Sequence, residues 1–297
     1  MKNKVYCQMY SILRTSRDGL LDALKSLSEM GYDGIEGMGD NTEGLSVEEF
    51  KKYVKDLNLD CISFHSLKDE SMLAFGQEMG ARFTDIRPDE NLKTVDDVKH
   101  AAEKLTAQAK LISKYGMKAV VHNHATEFRH PVDAEDTSFY ELLLQNTDPE
   151  YVAFELDLGW AQLAGVNCGN LIRKYPGRFP LLHVKECNRI AKTSEELDHF
   201  PRSIMEMNKV QTASGDNKNF IKGAPAFTQE QMDLLYESRN WNVELGHGLI
   251  DWKDVRDAAE AQGVQAYINE REYYTINGKK LSPIEYAKLD CEFLKSL

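Results

Sequence analysis

Cysteine is scarce in this sequence, with five residues among 297 and no C-x-x-C pair. An odd number of isolated cysteines is typical of free thiols in a reducing compartment and argues against a disulfide framework. Long apolar runs are also missing: the chain has no stretch of about eighteen apolar residues and no apolar signal segment near its start. We therefore expect a cytoplasmic protein without a membrane partner.

Positive charge is in short supply, because 36 basic residues face 48 acidic ones and give a formal net charge of −12. An acidic surface repels phosphate backbones, which argues against a protein built to hold nucleic acid. The chain also lacks a Gly-rich phosphate-binding loop and a local metal signature of the H-E-x-x-H type. We expect a small molecule as the partner. Hydrophobic residues, at 42%, are sufficient for a large core.

What the sequence does contain is a regular alternation of short apolar runs with amphipathic helical stretches. Ser46 and Glu49 form a capping-box pattern at the start of one helix, and Thr94 precedes a long helical pattern that ends at Gly116. The runs that predict strands are 5–12, 32–36, 60–65, 83–87, 118–124, 151–158, 180–186 and 264–270. Eight strands alternating with helices imply a parallel sheet with right-handed crossovers that closes into a (β/α)8 TIM barrel.

The alternation breaks between Cys187 and Asn240, where Ser, Thr, Asn and Lys dominate and only short helical pieces occur, such as 230–237. This segment is either a solvated insertion or a lid, since loops that follow barrel strands lie at the catalytic face. No internal repeat or linker divides the chain. We expect a single TIM-barrel domain over residues 1–297, with an insertion at about 187–240 after the seventh strand.

Imidazole and carboxylate side chains gather at the ends of most predicted strands, which in a barrel of this kind face the active site. The residues concerned are Glu36, His65, His122, His124, Glu127, Glu155, Asp157, His183, Lys185, Glu186 and Glu270. His122 and His124 share one side of their strand, as do Glu155 and Asp157. Burying several carboxylates together is costly without a cation, so the pattern predicts a bound divalent metal ion. Mixed nitrogen and oxygen ligands suit Mn²⁺, Zn²⁺, Co²⁺ or Fe²⁺ better than Ca²⁺.

Two segments of the chain are distinctive: His122–Phe128, which reads H-N-H-x-x-E-F, and Phe154–Trp160, which contains E-x-D-x-G-W. Four further segments accompany them in order, at 31–36, 183–186, 246–252 and 267–270. Together they resemble the sugar phosphate isomerase/epimerase family of the xylose-isomerase-like TIM-barrel superfamily, over about residues 5–275. The H-N-H-x-x-E-F segment is similar to members near inosose dehydratase and the lyases that act on 3-keto-glycosides.

The resemblance implies one divalent ion, with manganese preferred and zinc, cobalt or iron as alternatives, held by residues from strands five to eight. Three residues match these ligands directly: Asp157, His183 and Glu270. The fourth ligand stays open, because much of the superfamily has a glutamate where this chain has His122. Either His122 binds the metal, or Glu155 or Glu127 supplies the missing carboxylate.

The chemistry common to such enzymes begins with removal of a proton next to a carbonyl, while the metal stabilises the enediolate that develops. Glu270 or His124 could be the base, and Glu127 or Lys185 could protonate an oxygen or a leaving group. Return of the proton to carbon gives isomerisation or epimerisation, whereas loss of a β-oxygen substituent gives a dehydratase or lyase. In the epimerases two metal-bound glutamates exchange the proton, so His122 leaves both outcomes open.

We expect a sugar or cyclitol substrate, with Glu36, His65 and Trp160 as contacts, although a core position is an equal alternative for Trp160. Two rival functions share the barrel. An endonuclease IV-like repair enzyme needs a multi-metal cluster and a basic groove, which the acidic charge disfavours. A non-catalytic binding barrel is disfavoured by the intact set of three matched ligands. The oligomeric state stays open, and a homo-oligomer is compatible with the sequence.

Overall fold

Eight parallel strands close into a barrel in which each strand is hydrogen-bonded to two neighbours. The computed structural model describes residues 4–13, 19–65, 67–88, 92–193, 197, 241–271, 275–276 and 279–297. The barrel strands are β1 (Val5–Gln8), β2 (Gly34–Met38), β3 (Asp60–His65), β4 (Phe83–Ile86), β5 (Lys118–His122), β6 (Val152–Asp157), β7 (Leu181–Val184) and β8 (Ala266–Asn269). β1 pairs with both β2 and β8, which closes the sheet. The predicted (β/α)8 barrel is confirmed.

Helices flank the barrel, and several begin where the capping patterns predicted. Their bounds are α1 (Met9–Leu13), α2 (Leu20–Met30), α3 (Val47–Asp56), α4 (Glu70–Met79), α5 (Val95–Ile112), α6 (Phe139–Asn146), α7 (Leu158–Leu163), α8 (Cys168–Lys174), α9 (Trp252–Gln262) and α10 (Pro283–Ser296). Ser46, Thr94 and Ser282 each form a capping box that satisfies backbone N–H groups in the first turn. Gly31 ends α2 in the left-handed conformation, with φ of 86°.

The interior of the barrel is apolar near the start of the strands and polar near their ends. A separate apolar cluster fills the first part, and it consists of Tyr6, Ile62, Phe83, Val120, Ala153, Leu181, Ala266 and Ile268. The larger hydrophobic core lies between the strands and the helices. Because the apolar cluster occupies the amino-terminal half of the barrel, the polar groups gather at the carboxyl ends of the strands, where barrel enzymes carry their sites.

Three strands end at least two residues earlier than the sequence predicted: the first, the fifth and the seventh, which ends at Val184 and not at residue 186. β1 stops at Gln8 and not at residue 12, because the Gln8 side chain accepts a hydrogen bond from the backbone N–H of Tyr10 and the chain turns into α1. β5 stops at His122 and not at residue 124. There the side chain of Asn123, in place of a backbone ladder, bonds to the backbone of β6.

The insertion predicted at about 187–240 falls mostly outside the described residues. Its start forms a short antiparallel ribbon, in which Glu186–Cys187 pairs with Asn242–Val243. Residues 194–196 and 198–240, with the helical piece predicted at 230–237, are not among the described ranges. The single domain with this insertion therefore stays a prediction. No helix in the described part of the chain is both long and apolar enough to cross a membrane.

Candidate metal centre

Imidazole and carboxylate groups from six strands converge at the carboxyl end of the barrel. They form two overlapping sets, and within each set one ligand atom per residue lies within 4.8 Å of all the others. The set we call the inner group comprises Glu36, His65, Glu155 and His183. The set we call the outer group comprises His122, Asp157, His183 and Glu270. Both carboxylates of the inner group are completely buried, whereas His122 and Glu270 of the outer group are each 8% exposed.

Strand geometry explains why these side chains meet. Glu155 and Asp157 lie two residues apart on β6, so both point into the barrel. His122 is in register with Glu155 across β5 and β6, and His183 is in register with Asp157 across β6 and β7. Glu270 comes directly after β8. Adjacent strands therefore supply the outer group.

Lys185 brings a buried positive charge into contact with the outer group. Its Nζ lies 2.7 Å from Oε2 of Glu270 and 3.1 Å from Oδ2 of Asp157. On the other side, Nδ1 of His183 lies 3.0 Å from Oε2 of Glu270. The Lys185 side chain is 1% exposed, so it is held between the two carboxylates without contact to bulk water. Such a buried ammonium partly neutralises both carboxylates.

The inner group is a compact network of imidazole and carboxylate. Nε2 of His65 lies 2.9 Å from Oε2 of Glu155 and 3.2 Å from Oε1 of Glu36. Nε2 of His183 lies 2.7 Å from Oε1 of Glu36 and 3.3 Å from Oε2 of Glu155. The hydroxyl of Ser63 donates a hydrogen bond to Oε2 of Glu36. His183 is thus the residue common to both groups.

The imidazoles of the inner group are biased toward the charged form. Burial alone would lower the pKa of an imidazole, but the facing carboxylates of Glu36 and Glu155 outweigh it and raise the pKa of His65 and His183 well above the usual value. Burial would likewise raise the pKa of Glu36, but the same two imidazoles lower that pKa well below its usual range. At neutral pH the two imidazolium rings therefore supply positive charge inside the barrel.

The outer group is not uniform in its electrostatics. Burial opposes ionisation of Glu270, yet Lys185 and His183 outweigh it and lower the pKa of Glu270 well below its usual range. Burial raises the pKa of Asp157, although Lys185 opposes the change. Burial and the neighbouring imidazoles lower the pKa of His122 well below the usual value, so its ring is neutral. A neutral imidazole beside ionised carboxylates is the form in which these groups bind metals.

The residues present fit a divalent ion. Nδ1 of His122 and Oδ2 of Asp157 are buried and form no hydrogen bond within the described part of the chain; their contacts are ion pairs, with Glu155 at 3.3 Å and Lys185 at 3.1 Å. A bound ion is one explanation for buried polar atoms whose hydrogen bonds are incomplete. Two ligand atoms that each lie about 2.0–2.2 Å from the same ion are at most roughly 4.4 Å apart. Small side-chain adjustments therefore suffice to close the outer group around one ion.

His124, Glu127 and Trp160 lie at the rim of the centre. The carboxylate of Glu127 accepts a hydrogen bond of 2.8 Å from the backbone N–H of His124, and the two side chains are 20% and 25% exposed. Trp160 is 2% exposed and packs between the rings of His124 and Trp241, at centroid distances of 5.7 Å and 4.6 Å. Nζ of Lys185 lies 5.2 Å from the Trp160 ring. The rim therefore has a partly exposed imidazole and carboxylate beside an aromatic wall.

The structure brings five of the candidate ligands, His122, Glu155, Asp157, His183 and Glu270, into the two overlapping groups, whereas Glu127, the other alternative for the fourth ligand, is in neither group. Glu36 and His65 lie within the inner group, and Trp160 lies in the wall beside Lys185. Contact of these three residues with a substrate stays a prediction. Glu186, also at a predicted strand end, is engaged elsewhere: it accepts hydrogen bonds from the backbone of Gly246 and Ile250 and from the Trp252 indole.

Asn123 is a site residue that the sequence reasoning missed. Its side chain is completely buried, accepts a hydrogen bond from the backbone N–H of Asp157 and donates one to the carbonyl of Asp157. Asn123 lies between His122 and His124, so its side chain points to the opposite side of the strand, away from the barrel interior. A polar side chain at such a position is the signal that could have identified it. An amide side chain neither titrates nor commonly binds these metals, so the chemistry of the residue types alone does not point to Asn123.

A profile of the family described as xylose isomerase-like TIM barrel matches residues 24–297. The chain belongs to this family. Among curated protein sequences none matches the chain.

Solved structures with the same fold cover nearly the whole chain at low identity. A sugar phosphate isomerase/epimerase from Parabacteroides distasonis has a TM-score of 0.68 and 20% identity, covering 100% of this chain and 94% of that one. The IolI protein with a bound zinc atom has a TM-score of 0.65 and 15% identity, covering 99% and 98%. A probable 3-DHS dehydratase, AsbF from Bacillus anthracis, has a TM-score of 0.64 and 14% identity, covering 98% of each chain. Likeness at these identities shows a shared fold and leaves the reaction open.

Proposed function

We propose that the protein is a metal-dependent isomerase or epimerase that acts on a sugar or sugar-like ketone by removing a proton next to the carbonyl. The outer group carries this proposal. Two of its buried ligand atoms, Nδ1 of His122 and Oδ2 of Asp157, have ion-pair contacts but no hydrogen bond among the described residues, and the group lies at the end of the barrel where catalytic residues of this fold are found. The zinc bound to the structurally similar IolI protein supports a divalent ion.

We assign the ion to the four residues of the outer group, His122, Asp157, His183 and Glu270, and so propose His122 as the fourth ligand, in preference to Glu155. Manganese is the preferred ion, with zinc, cobalt or iron as alternatives for a mixed nitrogen and oxygen set. When bound, the ion would polarise a substrate carbonyl and an adjacent hydroxyl. In this proposal Glu155, which is completely buried, is a partner of the imidazoles, since its Oε2 lies 2.9 Å from Nε2 of His65 and 3.3 Å from Nδ1 of His122.

Glu270 is the better candidate for the base. Its carboxylate is ionised, because Lys185 and His183 outweigh burial and hold its pKa low, and it is 8% exposed at the barrel end, whereas Glu36 and Glu155 are completely buried. His124 is the alternative base at the rim. Lys185 keeps an ammonium close to Glu270 and is suited to protonate an oxygen of the substrate, while Glu127 is the alternative donor for a leaving group.

A lyase or dehydratase is the second candidate, and His122 is the observation that favours it. Symmetric epimerisation uses two carboxylates on opposite faces of the substrate, but the equivalent pair here would combine Glu270 with an imidazole. The same α-proton abstraction followed by loss of a β-oxygen substituent needs only one carboxylate base and a donor such as Glu127. The structural likeness to a probable dehydratase is compatible with this outcome.

The test is deuterium exchange from D₂O. Protein loaded with Mn²⁺ or Zn²⁺ is incubated with keto-sugars, inososes and 3-keto-glycosides, and the products are followed by NMR and mass spectrometry. Deuterium at carbon with an intact skeleton supports isomerisation or epimerisation, and an unsaturated or cleaved product supports the lyase. Absence of exchange with every ketone would contradict the proposal.

Asp157→Asn is the informative variant for this test. Asp157 also caps α7 by accepting a hydrogen bond of 2.9 Å from the backbone N–H of Trp160, and asparagine preserves that cap while removing the charge. We expect the variant to fold, to bind the ion more weakly and to lose exchange activity. Full metal binding by this variant would contradict the assignment of Asp157 as a ligand.

A further inference from the structure

His183 lies between the two groups with one ring nitrogen directed to each. Nδ1 is 3.0 Å from Glu270 of the outer group, and Nε2 is 2.7 Å from Glu36 of the inner group. A neutral imidazole carries its proton on one nitrogen and offers the other as a ligand. The group that holds the proton therefore determines which nitrogen is available to a metal.

Glu36 is built to receive that proton. It is completely buried, Oε1 faces Nε2 of His183, and Oε2 accepts the hydroxyl proton of Ser63, which is also completely buried. Glu36 and Ser63 are in register on the paired strands β2 and β3, so the carboxylate is fixed by the sheet itself. These contacts occupy both oxygens and leave no exposed surface for a hydroxyl group of a substrate.

We propose that Glu36 is a positioning residue for the metal centre, which accepts the Nε2 proton of His183 and so directs Nδ1 to the outer group. This inference rests on the proposed function, since it requires an ion in the outer group. It gives Glu36 a role other than the substrate contact expected from the sequence. Carboxylates that orient metal-binding histidines in this way typically contribute 10–100-fold to metal affinity.

The nitrogen of His183 that carries the proton distinguishes an ion in the outer group from an ion in the inner group. An ion in the inner group would bind Nε2, and Nδ1 would then donate its proton to Glu270. Zn²⁺ is diamagnetic, so long-range ¹H–¹⁵N correlation spectra of the zinc-loaded protein with ¹⁵N-labelled histidine report the tautomer directly. We expect the proton on Nε2 of His183. A proton on Nδ1 would overturn the inference, and this measurement requires no variant at Glu36.

The second measurement compares Glu36→Gln with Glu186→Gln. Both glutamates are completely buried at strand ends, but Glu186 bonds to the segment 246–252 and to no member of the outer group. Zinc affinity is measured by competition with a chromophoric chelator. We expect about 10–100-fold weaker binding in Glu36→Gln and binding close to wild type in Glu186→Gln. Equal affinity of wild type and Glu36→Gln would overturn the role of Glu36 and leave the proposed function standing.

The two proposals fail in different ways. If wild-type protein binds no zinc, manganese, cobalt or iron, the proposed function is lost and this inference is lost with it. If wild type binds zinc and the His183 proton lies on Nδ1, only the inference is overturned.

Discussion

The side-chain amide of Asn123 is paired with both backbone groups of Asp157. Oδ1 of Asn123 accepts a hydrogen bond from the Asp157 N–H at 2.9 Å, and Nδ2 donates to the Asp157 carbonyl at 3.3 Å. β5 has ended one residue earlier, so a side chain continues the contact between β5 and β6 after the backbone ladder stops. The pairing fixes the backbone at the residue that carries a central carboxylate of the outer group.

Replacing Asn123 with alanine should therefore affect both stability and metal binding. Two buried backbone groups of Asp157 would lose their partners, which we expect to lower the free energy of unfolding by about 1–3 kcal/mol. The freed Asp157 should also bind the ion more weakly. Urea denaturation of metal-free protein and chelator competition measure the two effects. Asn146→Ala is the control, because Asn146 is exposed and, among the described residues, its side chain bonds to Leu142 of its own helix. Metal affinity of Asn123→Ala equal to that of this control would contradict the positioning role.

Lys185→Met should destabilise the metal-free protein more than the metal-loaded one. Removal of the buried ammonium leaves Asp157 and Glu270 without their positive partner, and breaking such a pair costs about 3–5 kcal/mol. A bound divalent ion would supply charge to the same carboxylates and should recover part of the loss. Thermal unfolding with and without Zn²⁺ gives the comparison. Lys174→Met, which breaks an exposed pair with Glu141, should cost about 1 kcal/mol or less; a similar small loss in Lys185→Met would refute the prediction.

Metal affinity should rise with pH. His183 is protonated in the metal-free centre, because the carboxylates raise its pKa well above the usual value, and ligation requires an unprotonated nitrogen. For each proton released on binding, the metal affinity should rise by about tenfold per pH unit at pH values below the raised pKa of His183. Calorimetric titrations with Zn²⁺ in two buffers of different ionisation enthalpy count these protons. Identical heats in the two buffers, with constant affinity from about pH 6 to 8, would exclude the protonated imidazole.

The same shift predicts the opposite trend for the stability of the metal-free protein. A raised imidazole pKa stabilises the fold fully below the unfolded pKa of about 6.5, and this contribution is lost as pH rises through the folded pKa. His65 has a raised pKa for the same reason as His183. We expect the difference in unfolding free energy between wild type and His65→Gln to become smaller as the pH rises from about 6.5 through the raised pKa of His65. A contribution that grows with pH would contradict the assignment of charge.

Arg271 and Asp290 form a buried pair directly behind Glu270. The guanidinium contacts the two carboxylate oxygens at 3.1 Å and 2.6 Å, and both side chains are at most 2% exposed. Asp290→Leu alone should cost about 3–5 kcal/mol, whereas Arg271→Met with Asp290→Leu should be closer to wild type because no charge is left unpaired. Unfolding in guanidinium chloride measures the stability of both variants. Asp254→Ala, which breaks a partly exposed pair of similar geometry, should lower the stability much less than Asp290→Leu.

The barrel was predictable because its information is local and repeated. Each buried strand is a short apolar run, and capping residues such as Ser46 and Thr94 mark helix starts regardless of what the helix packs against. Strand ends were less predictable, since distant partners decide them. The sequence predicted that the fifth strand would reach His124, but the strand ends two residues earlier, at His122, and the Asn123 amide takes over the contact with β6.

The candidate site was predictable as a set of residues and not as an arrangement. Parity along β6 correctly placed Glu155 and Asp157 on one face. The division into inner and outer groups depends on the register between strands, which determines the residues that share a level in the barrel. That register places Glu36 beside Ser63 and His183, and no pattern within a single strand contains this information.

The four residues of the outer group come from the last four strands of the barrel, and β8 is the strand that closes the sheet against β1. During synthesis the chain cannot present all four until residue 270 has left the ribosome. The proposed ion can therefore bind all four residues only after β8 has closed the barrel. Lys185 and the protonated imidazoles hold the carboxylates together before that ion binds. We therefore expect the barrel to fold first and the proposed ion to bind to the finished fold.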